Sequence, residues 1–394
     1  MFDVLSDVRV LEFGKFVAAP MATWLLAGMG AKVTRMEGLD GSPDREPYCI
    51  GDGLDGAAFL QLNTNKRSLC LDHASPAGRQ VLHRLLQSTD VVVCGAPGPT
   101  LVHQGLDYKT LSEVNPRIIW LNVSAFTTHG PRGADVGFDG IGQAMSGALH
   151  LSGFGEMPGR SGCSWVDAST GVYSAFAIMS ALLDRNRTGK GHCLETSLMT
   201  SAYAAMSWFL VEQAATGRNR TRTGNRAQSS GPSDVFRTKD GWIIVQVLGD
   251  RMFAKISRLV GRPEWIDDPR FGTDVGRSDN GAHLSEGVGA WCAALTTKDA
   301  LDQLRKARIP ATTVNTLQDA LDEPQVEALG LFQTVIHPDR PALRLMKPAI
   351  MIDGAFPDLR LASPKVGAHS ADILREAGFG TDEVARLMEA RVIA

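Results

Sequence analysis

Cysteine is sparse and scattered: Cys49, Cys70, Cys94, Cys163, Cys193 and Cys292 are the six among 394 residues, with no CxxC pair and no metal-ligand spacing. That excludes a disulfide framework and a zinc module, and points to a reduced, cytoplasmic setting without a metal site. No basic-then-apolar leader opens the chain. Apolar stretches are broken by Gly, Ser or a charge before the roughly 20 residues a membrane span requires, so no membrane partner is expected. Neither sign of charge dominates, since 40 basic and 43 acidic residues give a formal charge of -3. No field gathers nucleic acid. Also missing are GxGxxG, HExxH, GxSxG, a Walker loop and an EF-hand loop, so the common dinucleotide, zinc-peptidase, hydrolase and nucleotidase chemistries have no local signature.

What remains is an ordinary globular composition, 44% hydrophobic and 21% charged. The chain exceeds the roughly 250 to 300 residues at which single cores stop growing, so two domains are expected. VRVLEF at 8–13 and KVTRME at 32–37 flank the apolar PMATWLLAGMG at 20–30, a strand, helix and strand. The pattern recurs with a helix over 76–88 before VVVC, and a helix over 108–114 before IIWLNVSAF. Near-continuous apolar strands alternating with amphipathic helices predict an α/β fold with a doubly covered, Rossmann-like parallel sheet. From Asp167 a helix with small and apolar residues on most faces is expected, then a second over 195–216. Residues 217–232, GRNRTRTGNRAQSSGP, are polar, basic and Gly-rich and read as a linker or active-site loop. DVFRTKDGWIIVQV reads as a hairpin turning at Asp240-Gly241, opening a smaller α+β domain over 233–325. The tail contributes another hairpin within ALRLMKPAIMIDG and two terminal helices. The large domain is then 1–216 joined by 326–394.

Asp167 stands at the mouth of a buried helix. One reading makes it an N-cap, contributing about 1 kcal/mol; the other makes it a carboxylate nucleophile toward an acyl carbon. Lys66 and Arg67, just before a strand, suit a phosphate or a solvated turn equally. Arg218, Arg220, Arg222 and Arg226 read as anion contacts or as a soluble linker.

Six blocks in one order carry a resemblance: 8–37 (VRVLEFGKFVAAPMATWLLAGMGAKVTRME), 63–72 (NTNKRSLCLD), 105–126 (GLDYKTLSEVNPRIIWLNVSAF), 167–191 (DASTGVYSAFAIMSALLDRNRTGKG), 234–245 (DVFRTKDGWIIV) and 367–379 (GAHSADILREAGF). The sequence resembles the class III CoA-transferases, which include formyl-CoA and carnitine CoA-transferases and the related α-methylacyl-CoA racemases. The resemblance implies an interlocked-ring homodimer, acyl-CoA and a free carboxylic acid as substrates, and no tightly bound cofactor. It implies Asp167 as nucleophile. It also implies CoA contacts at Val17, Ala18, Leu71 and Asp72, with Gly95, Ala96, Pro97 and His103 where relatives carry a polar or basic clamp, and Arg45, Lys66 and Arg67 as substitute phosphate ligands. Phe138 stands where the racemase branch has a histidine, so it implies an acyl-pocket wall and disfavours two-base racemisation. The competing expectations are a racemase using another base and a CoA-thioester-binding protein without turnover.

Overall fold

The computed structural model describes residues 3–50, 55–337 and 340–394. Its chain divides into two compact units, one of residues 1–148, 161–208 and 324–394, the other of residues 149–160 and 209–323. The expected break at 216 therefore falls at Trp208/Phe209, and the expected linker 217–232 belongs to the second unit. The reason is that three of its four arginines are engaged. Arg220 pairs with Glu212 and the carbonyl of Gln228, Arg218 pairs with Asp279, and Arg222 donates to the Gly155 and Glu156 carbonyls, each at 3.3 Å.

In the first unit, six short runs form one parallel sheet. They are β1 (Arg9–Glu12), β2 (Lys32–Glu37), β3 (Lys66–Cys70), β4 (Val91–Cys94), β5 (Ile119–Ser124) and β6 (His192–Ser197), in the order β3-β2-β1-β4-β5-β6. Successive side chains alternate between faces. Val10, Val33 and Val91 lie side by side in register and bury toward one core with Ile119 and Leu121. Leu11, Met36, Leu69, Val92 and Trp120 point to the other. Helices α1 (Ala18–Gly28) and α4 (Trp165–Thr188) supply the first core through Leu26, Ile178 and Leu182. The second is closed by α2 (Pro76–Leu86) and by the C-terminal α5 (Ser370–Glu376) and α6 (Thr381–Glu389), through Leu85, Leu374 and Val384. The tail is thus part of this unit because its helices cover a sheet face.

Helix α4 is the one described helix long and apolar enough to cross a membrane, yet Val166, Thr170, Ser174, Ile178 and Leu182 on it are buried within the protein. Its packing on α1 is close: a Cβ at Gly171 would stand 2.5 Å from Met21 Cγ.

The expected helix over 195–216 is corrected. Residues 192–197 are β6, pairing with β5 from Ile119↔His192 to Ser124↔Ser197, and helices follow over Leu198–Ala205 and Ser207–Thr216. The tail hairpin also has a different partner, since Arg340–Met346 pairs with Phe332–His337 rather than folding on itself.

In the second unit, strands Asp234–Arg237 and Trp242–Val245 form the expected Asp-Gly hairpin, and Ala311–Thr313 completes a three-stranded antiparallel sheet. Helices Asp250–Leu259, Gly281–Ala293 and Thr297–Ala307 pack on it around Phe236, Ile243, Phe253, Leu284 and Leu304.

Candidate functional site

The chain leaves β1 toward β2 and leaves β4 toward β5, so neighbouring strands β1 and β4 send their connections in opposite directions. Such a switch point opens a crevice at the carboxyl ends of the strands, where α/β sheets bind ligands. Here the crevice is a cavity of about 240 Å³ lined by the loop after β1 (Lys15 to Ala19), the loop after β4 (Gly95, Ala96, Pro97), Val123 to Ala125 after β5, Asp135 to Phe138, Asp167 and Leu198. Of the residues expected to form the site, Val17, Ala18, Gly95, Ala96, Pro97, Phe138 and Asp167 come together in it. The walls are mostly small and apolar. The Phe138 ring meets Phe16 edge to face, with centroids 5.6 Å apart. Helix α1 begins at the cavity with Ala18 and Ala19 and has no side-chain cap; its first N–H groups lack intrahelical acceptors, which suits an anionic group.

The loop after β1 is held from behind. Phe16 sits in the left-handed region at φ 67°, a conformation costly for a residue with a Cβ. Its N–H donates to Asp44 Oδ2 at 2.9 Å, and Asp44 is gripped by Arg35 Nη2 at 2.7 Å to both oxygens. A Cβ at Gly14 would fall 2.2 Å from Ala19 Cβ, so only glycine admits the turn into α1.

This network accounts for two residues assigned to phosphate by resemblance. Arg45 donates to Glu37 at 2.9 and 2.7 Å and to Asp55 at 2.8 Å. Lys66 is fully enclosed, with Nζ 3.0 Å from Glu12 Oε2, 3.1 Å from the Pro20 carbonyl and 3.1 Å from Asn63 Oδ1. Neither lines the cavity. Burial pulls the Lys66 ammonium down to about 8 against the opposing pull of Glu12. Both cations neutralise buried carboxylates beneath the loop, because an unpaired charge there is costly.

The other expected contacts are also dispersed. Arg67 forms a bidentate pair with Glu376 of α5 at 2.7 and 2.8 Å. Leu71 belongs to the sheet core. Asp72 is tied to the tail, its N–H donating to the Val392 carbonyl at 2.9 Å, and His103 is an exposed residue in the last turn of helix Gly98–Gln104. None of the four lines the cavity.

Burial pushes the Glu37 carboxyl up, but hydrogen bonds from Arg45 and the charges of Arg35 and Arg45 outweigh it and hold it below the ordinary 4.5. Asp44 is likewise held below 3.8, burial being outweighed by Arg35, Ser42 and the Phe16 N–H. A depressed carboxyl contributes stability that is complete above its unfolded value and lost as pH falls through its folded one. Melting temperature is therefore expected to be flat near neutrality and to fall below about pH 4.5, the ordinary glutamate value. A Glu37→Gln variant, melted over the same series, should show a shallower fall; an equal acid slope would remove Glu37 from the cause.

Asp167 is not an N-cap. Helix α4 starts at Trp165 with Ser164 as cap residue and no side-chain cap bond, leaving Asp167 in the first turn. The capping is done from outside, by Asp139 of α3 (Asp139–Met145), whose Oδ2 accepts the N–H of Val166 at 2.8 Å and of Asp167 at 3.2 Å. Asp139 is 2% exposed. Sequence alone gives it no role, although it follows Phe138 directly; the one local signal is the i, i+4 pair Asp139 and Gln143 beside two glycines. A half-buried carboxylate at a helix N-terminus, facing an apolar cavity, can attack an activated acyl carbon. Among the described residues no group of three or more His, Cys, Asp or Glu is placed to hold a metal.

The model of CoA-transferase family III matches residues 5–370. A succinyl-CoA–D-citramalate CoA-transferase of Chloroflexus aurantiacus is 30% identical over 99% of this chain and 98% of its own. A succinate–glutarate CoA-transferase of Agrobacterium fabrum is 29% identical over 94% and 95%. Among solved structures, a CAIB/BAIF family protein from Brucella suis superposes with a TM-score of 0.83 at 30% identity, covering 96% of this chain and all of that one.

Proposed function

The chain belongs to CoA-transferase family III, and on that premise we propose that it moves CoA from an acyl-CoA thioester to a free carboxylic acid through covalent intermediates on Asp167. The position of Asp167 in the switch-point cavity, beside the loops after β1 and β4, is the observation that carries the reading. The carboxylate attacks the thioester carbonyl, the C–S bond breaks, and CoA leaves as thiolate, giving a mixed anhydride. The thiolate then attacks the aspartyl carbonyl and releases the donor acid, leaving an aspartyl-CoA thioester. The acceptor carboxylate runs the two steps in reverse. No net proton is consumed, and each step exchanges one activated acyl bond for another.

The Asp167 N–H is occupied by Asp139 and that of Ala96 by Asn122 Oδ1 at 3.3 Å. The uncapped start of α1 is the better-placed donor for an anionic part of the bound thioester. The acceptors named for the relatives are dicarboxylic acids, and we extend that class to this chain. Phe138 accounts for transfer over racemisation, since a phenyl ring accepts no proton. The decisive assay follows label from a free acid into acyl-CoA while the α-proton is monitored in heavy water. Acid exchange without α-deuteration supports transfer; α-deuteration without acid exchange would overturn it.

We also propose a homodimer acting in the cytoplasm. Its support is a line of exposed apolar side chains on α4, with Val172 at 55%, Phe176 at 71% and Leu183 at 68% exposure. They recur at helical spacing on one side of a helix whose other side is core, and a soluble monomer rarely leaves such a face to water. Sedimentation at micromolar concentration should give twice the chain mass of 42.3 kDa; a monomer would refute the dimer.

A further inference from the structure

We infer that Asp139 and Gln143 form a clamp that positions Asp167 and joins it mechanically to the cavity wall at Phe138. The two side chains lie one turn apart on α3, and each is 2% exposed. Gln143 Nε2 donates to Asp139 Oδ1 at 2.5 Å, and Gln143 Oε1 accepts the N–H of Ser161 at 3.1 Å. Asp139 Oδ2 takes the N–H groups of Val166 and Asp167 at 2.8 and 3.2 Å. The segment from 161 to 167 is therefore fastened at both ends by one connected pair, whose polar atoms are satisfied by each other and by that segment. A buried network in which each side-chain polar atom has a partner fixes one geometry strongly.

Ordinary capping needs much less. A helix N-terminus in need of an acceptor is served by its own cap residue, and Ser164 makes no such bond. The acceptor is brought instead from another helix at close approach. A Cβ at Gly142 would stand 2.8 Å from Val166 Cγ1 and 3.1 Å from the Leu198 carbonyl, so α3 reaches α4 only with glycine there. Phe138 is the cap residue before α3, adjacent to Asp139, and its ring lies against Phe16 in the cavity. An acyl group that displaces the ring moves the start of α3, and Asp139 passes that movement to the backbone N–H of Asp167. Asp139 and Gln143 are thus positioning residues: neither lines the cavity, and their effect is exerted through Asp167.

The inference rests on Asp167 as nucleophile, and its test separates the two. Full-length Asp139→Ala, Asp139→Asn, Gln143→Leu and Gly142→Ala are assayed with succinyl-CoA and dicarboxylic acids below every variant's melting temperature. Misplacing a reacting group by about 1 Å costs about 100-fold, so Asp139→Ala should lose about 10- to 100-fold in kcat. KM for the thioester should change less than about 3-fold, because the loops after β1 and β4 are untouched, a split that ordinary destabilisation does not produce. Asp139→Asn, which keeps one acceptor oxygen, should recover part of the loss, and Gln143→Leu and Gly142→Ala should lose kcat in the same sense. Should Asp139→Ala fail to fold, those two variants decide. Unchanged kcat, a loss confined to KM, or an Asn variant no better than Ala would overturn the clamp. If Asp167→Asn is inactive while the clamp variants are normal, the clamp alone is wrong; if Asp167→Asn transfers CoA, the nucleophile itself is wrong.

Discussion

Asp167→Asn is expected to leave the fold intact and to abolish transfer, with kcat falling by at least about 1000-fold, or about 4 kcal/mol of barrier. The two effects separate because Asp167 does not cap α4; Asp139 does. Replacing a first-turn carboxylate by an amide changes its interaction with the helix dipole by about 0.3 to 1 kcal/mol, a shift of a few degrees at most. The amide oxygen occupies nearly the same place and hydrogen bonds similarly, yet cannot form an anhydride that CoA thiolate will reopen. Steady-state transfer, thermal melting and CoA titration on the one variant give the three readings. A loss of transfer matched by a loss of CoA binding or of folded protein would point to a structural residue.

Asp44→Ala is expected to be the most destabilising single change near the site. It removes the bidentate partner of Arg35, which is 1% exposed, and strips the acceptor from the left-handed Phe16. Breaking a lone buried pair on one side costs about 3 to 5 kcal/mol; Arg35 keeps Glu37 at 3.6 Å and Glu12 at 3.9 Å, so the expected loss is about 2 to 3 kcal/mol. Urea unfolding should show that loss, and CoA-thioester KM should rise because the turn into α1 loosens. Arg67→Ala is the contrast: its pair with Glu376 is solvent-exposed, worth about 1 kcal/mol or less, and the residue lies away from the cavity. Equal losses for the two would mean that the buried network does not hold the loop. A rise in KM for Arg67→Ala without one for Asp44→Ala would restore a phosphate role to the surface cation.

Much of the large sheet was legible because its central strands are apolar on both faces. Val91 to Cys94 have no polar position at all, the pattern of a strand covered on both sides. The sixth strand was not. HCLETS has one strongly apolar residue, and as an edge strand it is only partly buried, so its place is set by pairing with β5 rather than by its own composition. The tail hairpin failed for a related reason: two adjacent strand-like runs invite a local turn, and the actual partner, Phe332–His337, lies before the pair.

In the site, Val17, Ala18, Gly95, Ala96 and Pro97 were marked by the resemblance alone, and the loops after β1 and β4 bring them to one cavity. The resemblance offered Lys66 and Arg45 to phosphate, whereas folding pairs them with carboxylates 54 and 8 residues away, partners that no local pattern marks. Asp139 was missed because a carboxylate capping a helix that begins 26 residues later leaves no local pattern; only folding brings it to Val166 at 2.8 Å.

The most direct test of covalent relay follows oxygen. Wild-type protein is turned over with succinyl-CoA and a dicarboxylic acid carrying isotopically heavy carboxylate oxygen, then digested and read by mass spectrometry. Attack of the acceptor on the aspartyl-CoA thioester places its oxygen in the bridge of the anhydride, and thiolate attack on the acceptor's carbonyl leaves that oxygen on Asp167. The expected result is heavy oxygen in the peptide containing Asp167, rising with turnovers and absent when the labelled acid is supplied without thioester. Label-free Asp167 after many turnovers of measured transfer would contradict an aspartyl intermediate.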